Sequence, residues 1–293
     1  MAEEKRVLGF FGGSGVYSMD ALEGAERLQL ETPWGAPSDA LTRGRIGGVE
    51  VVFLARHGAG HRLPPSHVNY RANIDAMKRA GVTDLISVSA CGSFREELAP
   101  GTFVVVDQYI DRTTMRPKSF FGPGFVAHVS MADPVCPALA GALGDSCEAL
   151  GIKHARGGTY ICIDGPQFSS RAESLLYKSW GCDVIGMTNM PEAKLAREAE
   201  LPYASLAMVT DYDCWREQDG PVEVGLILET LKQNTSNAER LVEDVVRRLG
   251  PVRTPSPLGI ESVLDMAVIT PQASWDKAMT DKLDAVAGRV LKR

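Results

Sequence analysis

The stretch "NYRANIDAMKRAGVTDLISVSACGS", Asn69 to Ser93, changes period halfway along. Its first half spaces Ile74 from Met77 and Ala76 from Ala80 by three and four residues, the repeat of a helix with one buried face, and Gly81 ends it. Its second half runs Leu85, Ile86, Val88, Ala90 and Cys91 with little polar alternation. A strand that is apolar on both sides belongs in a sheet covered on both faces.

Working outward, the alternation persists. "VEVVFLARHG" (49–58) precedes it as a strand, and "TFVVVDQYID" (102–111) follows as another. Helical patterns at 137–151, 170–181 and 191–200 then alternate with apolar strands at 158–165, 183–188 and 203–214. The pattern predicts an α/β fold: a single domain with a central mixed, mostly buried β-sheet flanked by helices. "GPVRTPSPLG", Gly250 to Gly259, carries three prolines that neither neighbouring helix can absorb, so it divides a core, 1–250, from an arm, 251–293. In the arm, Trp275, Met279, Leu283, Val286 and Val290 follow helical spacing with Ser274 as cap. Core packing and oligomer contact both explain them.

Composition excludes several classes. The 293 residues carry a net charge of −6, which gives no basic field for nucleic acid or an anionic membrane. No stretch nears 18 apolar residues, and the acidic start "MAEEKR" does not suit a secretory signal. The six cysteines (91, 136, 147, 162, 182, 214) are scattered without a CxxC, as expected of reduced thiols in a soluble cytoplasmic protein.

In such sheets ligands gather where strands end. "LGFFGGSGVY", Leu8 to Tyr17, ends a strand in a glycine-rich turn around Ser14. The dinucleotide fingerprint fits it poorly because its third glycine is a serine, and no GxxxxGK[ST] occurs in the chain. A tight turn after a buried strand explains the glycines as well as an anion does. Other strands end at Arg56 and His57, at Ser89, and at Thr188, whose Thr-Asn-x-Pro setting marks a helix start with free N–H groups. Capping alone accounts for that hydroxyl, but two hydroxyls, a guanidinium and backbone amides from four strand ends together suit a free phosphate. His57, His61 and His67 lie too close to prolines and glycines for one helix face, which disfavours a metal site.

"TDYDCW" closes an apolar strand with Asp211 and Asp213, which share one face if the strand persists. Two solvated loop aspartates fit that stretch equally well. The functional alternative is base recognition: adenine shows an acceptor at N7 and a donor at its amino group, which one protonated and one ionised carboxylate match. Close carboxylates separate each other's pKa, and burial raises the protonated one. Phe168, after "GPQ", is placed to lie against a base or simply to fill the core, with Ser169 beside it.

"RHG", "VNYRANI", "ACGS", "DQYIDRTTMRP", "GPQFSSRAE", "GMTNMPEAKLA" and "VTDYDCW" together resemble the 5′-methylthioadenosine phosphorylase family, the adenine-specific branch of the trimeric purine nucleoside phosphorylases. The resemblance spans about Val7 to Leu249. It implies a nucleoside phosphorylase-like fold and phosphorolysis of 5′-methylthioadenosine to adenine and 5-methylthioribose 1-phosphate, with a purine nucleoside phosphorylase of broader or 6-oxopurine specificity as the alternative. Orthophosphate is then a co-substrate, and no metal or redox cofactor is implied. Carried over, Ser14, Arg56, His57, Ser89 and Thr188 hold phosphate. Met187 lies under the ribose, Ala90, Phe168 and Ser169 border the nucleoside, and Asp211 and Asp213 take the purine edge, Asp213 giving a proton to N7. His128, Val224, Ile227 and Leu228 border the 5′ group. A homotrimer is implied, with the arm packing on or near the neighbouring subunit. Gly186 and Gln167 stand where some members carry larger polar residues.

Overall fold

The structure is a computed structural model that describes residues 4–12, 21–216 and 224–292. In chain order its strands and helices are β1 (Val7–Gly12), β2 (Glu23–Leu28), β3 (Leu41–Ile46), β4 (Val49–Ala55), α1 (Tyr70–Arg79), β5 (Asp84–Ser93), β6 (Phe103–Val106), β7 (Gln108–Asp111) and α2 (Pro137–Ala149). There follow β8 (His154–Arg156), β9 (Thr159–Cys162), α3 (Arg171–Ser179), β10 (Val184–Gly186), α4 (Asn189–Glu198), β11 (Tyr203–Asp211), α5 (Val224–Leu249), α6 (Lys277–Lys282) and α7 (Gly288–Leu291).

These strands form one sheet in the order β2-β3-β4-β1-β5-β10-β9-β7, with β11 pairing β5 and β6, and β6 pairing β8. Parallel and antiparallel ladders are mixed, as expected: β5 runs parallel to β1 and β11 but antiparallel to β10. All of β1 and β4 except its rim, and nine of the ten residues of β5, are buried or nearly so, because α1, α4 and the arm cover one face while α2 and α5 cover the other.

Three elements differ from the sequence reading. "TFVVVDQYID" is two strands, because Asp107 turns the chain and its carboxylate accepts from Gly158 N–H at 3.0 Å; β6 then joins β11 and β8 while β7 joins β9. The exposed strand β2, with its sequence EGAERL, lacks an apolar face and gave no periodic signal. The tail after Pro271 is two short helices, and the cap is Asp276, accepting from Met279 N–H at 2.8 Å, instead of Ser274.

Leu283, Val286 and Val290 are buried in their own chain's core, beside Ile74, Met77 and Leu201, and Trp275 and Met279 pack against it. The arm is also held by charge: Arg253 bonds Asp84 at 3.2 Å and pairs with Glu261, and Arg289 pairs with Glu200 and with Asp265 at 2.6 Å. Met266 and Ile269, on the same arm, remain 92% and 62% exposed.

Candidate active site

The end of β4, the middle of β5 and the start of α4 meet around Arg56. The side chain is buried, and its Nε donates to Glu192 Oε2 at 2.8 Å, Nη2 to Glu192 Oε1 at 3.3 Å and to Ser87 Oγ at 2.6 Å. Ser87 lies on β5 and also accepts from Asn189 Nδ2 at 3.0 Å, so one hydroxyl ties the end of β4 to the start of α4. Thr188 is the N-cap of that helix, is buried, and makes no capping hydrogen bond with its side chain. Capping therefore does not account for its hydroxyl. Two residues beyond Ser87, Ser89 Oγ is buried without a partner, and the adjacent Ala90 is the one exposed residue of β5. The strand opens to solvent at that point. Ser14 lies outside the described residues.

His57 follows Arg56. Its Nδ1 lies 2.8 Å from the Leu63 carbonyl oxygen and its ring stacks on His61 with centroids 4.1 Å apart. Burial first, and the neighbouring Arg56 charge second, hold its pKa down at about 4.

The carboxylate pair sits at the end of β11, which stops at Asp211, so Asp213 is brought to its neighbour by a turn and not by a shared strand face. Asp211 Oδ1 accepts from Asp213 N–H at 2.8 Å and Oδ2 from Thr210 Oγ1 at 2.7 Å, while burial raises its pKa. Asp213 adopts a left-handed backbone, φ 51°, which Asp tolerates better than most residues. Burial, then repulsion from Asp211, push its pKa up to about 6, although the Ser174 and Ser169 hydroxyls pull partly against this. The two hydroxyls lie near enough to the carboxylate to ease its charge, yet Asp213 Oδ2, Ser169 Oγ and Ser174 Oγ are all buried and none closes a well-aligned hydrogen bond. Buried polar atoms are paired as a rule, so three orphans together mark a place shaped for a polar ligand edge. Gly92 of β5 faces this pair, and a side chain there would meet Asp211 Oδ1 and Asp213 Cβ.

The loop after β9 closes this end. Cys214 Sγ donates to the Ser169 carbonyl at 3.2 Å, joining "GPQFSS" to "TDYDC", and Phe168 is 43% exposed instead of filling the core. Met187 lies against Gly165, where a Cβ would collide with its thioether sulfur. Gly186 is explained in the same way: the Tyr160 phenol occupies the space of a side chain there.

Not every candidate comes to this place. His128 is exposed beside the C-terminal half of α4, in a cavity of about 390 Å³ shared with Lys194 and Glu198, and its N–H donates to Ala267 of the arm at 2.9 Å. It is not brought to Asp213 or Thr188 by its own chain. Leu228 is 58% exposed on α5, and the side chains of Val224 and Ile227 lie outside the described residues. Sequence reasoning missed Glu192 and Ser87, which hold Arg56. Glu192 reads as an ordinary acid in a helix's first turn, and no local spacing links it to Arg56, 136 residues away.

The chain matches the model of the family described as "Phosphorylase superfamily" over residues 7–247. It is 58% identical to the S-methyl-5′-thioadenosine phosphorylase of Cereibacter sphaeroides, over 98% of this chain and 99% of that one. Among solved structures it is similar to a methylthioadenosine phosphorylase sourced from an antarctic soil metagenomic library, with a TM-score of 0.90, 45% identity, and 95% and 98% of the two chains covered. It is also similar to a variant of the adenosine/methylthioadenosine phosphorylase of Schistosoma mansoni in complex with methylthioadenosine, with a TM-score of 0.80, 37% identity, and 84% and 92% covered. Similarity of this extent, across nearly the whole length, means that the chain belongs to the phosphorylase superfamily and, within it, to the S-methyl-5′-thioadenosine phosphorylases.

Proposed function

We propose that this chain carries out the phosphorolysis of 5′-methylthioadenosine, with orthophosphate as co-substrate, to adenine and 5-methylthioribose 1-phosphate, returning both products to salvage. The observation that carries the reading is the Asp211–Asp213 pair, in which one carboxylate is well solvated by hydrogen bonds and the other is held near a pKa of about 6 with an unpartnered oxygen. Adenine offers N7 as an acceptor and its amino group as a donor, so a protonated Asp213 gives to N7 while Asp211 accepts from the amino group.

The glycosidic bond lengthens ahead of phosphate attack, leaving positive charge on the sugar and negative charge on the purine. Phosphate, held by Ser14, Arg56, His57, Ser89 and Thr188, faces the first, and its oxygen forms the new bond to C1′. The Asp213 proton meets the second as the C1′–N9 bond breaks. Met187 lies under the ribose, and Ala90, Phe168 and Ser169 border the base.

The active form is a homotrimer in this reading. His128 and the arm's exposed Met266 and Ile269 lie together, through the Ala127–Val268 bridge, and large exposed apolar side chains of this kind suit a subunit contact that brings them to a neighbour's 5′ pocket beside Leu228. Six free buried cysteines suit the reducing cytoplasm. The test is to incubate the protein with 5′-methylthioadenosine with and without phosphate. Adenine and a sugar 1-phosphate should appear in equal amounts only with phosphate. Adenine release without it would make the enzyme a hydrolase and refute the reading.

A further inference from the structure

Arg56 and His57 are sequence neighbours but present opposite chemistry. The Arg56 charge is offset by Glu192, and both Glu192 oxygens are already engaged, Oε2 by Arg56 Nε and Oε1 by Arg56 Nη2 and by the Tyr203 hydroxyl at 2.8 Å. That carboxylate is buried and turned to Arg56 and Tyr203, so it does not serve an incoming anion as an acceptor.

His57 is different. The Leu63 carbonyl can only accept, so Nδ1, 2.8 Å away, carries the ring hydrogen, and the stack on His61 fixes the ring plane. Burial, and the charges of Arg56 and Arg116, keep the ring neutral near pH 7. Nε2 is then a bare lone pair, an acceptor beside a cationic side chain.

Resting on the reading that His57 borders the phosphate, we propose that His57 Nε2 selects the co-substrate by its proton, accepting a hydrogen bond from the P–OH of hydrogen phosphate and disfavouring tetrahedral oxyanions that carry none. Hydrogen phosphate and hydrogen arsenate each bring one hydroxyl near neutral pH. Sulfate has the same charge and nearly the same shape without a hydrogen. It sets an oxygen lone pair against that of Nε2, or obliges the ring to take a proton from solvent in a setting that opposes it. An acceptor left unpaired in a buried site weakens binding by about 10- to 100-fold.

The experiment compares three oxyanions on the intact protein near pH 7 with 5′-methylthioadenosine as substrate. Arsenate should support adenine release with a KM within about threefold of that for phosphate, because both fill the same hydrogen bond. Sulfate should inhibit competitively against phosphate with a Ki about 10- to 100-fold above the phosphate KM. His57→Gln, whose amide can donate as well as accept, should bring the sulfate Ki to within about threefold of the phosphate KM. A wild-type sulfate Ki equal to the phosphate KM overturns the proton selection, and does so without any variant. If His57→Gln then still raises the phosphate KM, the placement of His57 at the anion survives that failure. If His57→Gln leaves phosphate, arsenate and sulfate constants all unchanged, His57 is not at the anion and both readings fall.

Discussion

The Asp213 amide donates to Asp211 Oδ1 at 2.8 Å, so one turn holds two carboxylates whose hydrogen-bonding is unequal: Asp211 has two donors, Asp213 Oδ2 none. The pair is built for protonation of one member. Its cost to the folded state is calculable in sign. Asp213 in the folded chain has a pKa raised from an ordinary 3.8 to about 6, so between those values the folded state binds more protons than the unfolded chain. Stability falls as pH rises through that window and stays reduced above it.

Asp213→Asn removes the ionisation. It should therefore stabilise the protein at pH 7.5 by about 2–3 kcal/mol, with little effect at pH 4, while kcat drops by about 10²-fold or more for want of a proton donor. Thermal unfolding at the two pH values together with the rate of adenine release checks this. A variant that loses activity and also stability at pH 7.5 contradicts it.

The same group sets a pH profile. In the free enzyme kcat/KM for 5′-methylthioadenosine should decline as pH rises above about 6, because the protonated Asp213 is the competent form, and the decline should vanish in Asp213→Asn. Initial rates across pH 5–9 at fixed low substrate decide it. A profile that is flat above pH 6 in the wild type rules out Asp213 as donor in the free enzyme.

Arg56 and Glu192 form a pair of which each is 2% exposed or less, so removing one strands the other. Arg56→Ala should cost about 3–5 kcal/mol of stability, and Arg56→Ala with Glu192→Leu should recover most of it. The phosphate KM should stay high in both, because only the stability defect comes from the stranded carboxylate. Recovery of phosphate affinity in the double variant would mean that Arg56 acts on the fold and not on the anion.

Assembly gives a separate expectation. Light scattering should return three times the 31.6 kDa chain, and Met266→Asp with Ile269→Asp should shift it toward the monomer and raise the KM for 5′-methylthioadenosine. Full activity in a monomeric variant would mean that the arm serves its own chain alone.

Much of this was legible because β1, β4, β5 and β11 are apolar on both faces, a pattern that local spacing reveals. β2 escaped because an exposed edge strand needs no apolar face, and the break at Asp107 escaped because it depends on Gly158, 51 residues away in the chain. In the site, Asp211 and Asp213 were visible as paired acids ending a strand. Glu192 was not, since its partner Arg56 lies 136 residues away and only the three-dimensional meeting of β4, β5 and α4 gives the glutamate its role. The arm's Leu283 and Val290 carried a readable helical spacing, but which surface they bury against is a tertiary fact.

Base selection tests the account most directly. With phosphate present, kcat/KM for 5′-methylthioadenosine and 5′-methylthioinosine should be measured side by side, since the two differ only at the purine edge that Asp211 and Asp213 face. A carboxylate opposed to the 6-oxo group leaves two acceptors against each other, and sites of that kind discriminate by about 10⁴-fold or more. The account predicts such a ratio in favour of 5′-methylthioadenosine, narrowing in Asp211→Asn, whose amide can donate to the 6-oxo group; cleavage of both nucleosides at similar kcat/KM by the wild type would contradict it.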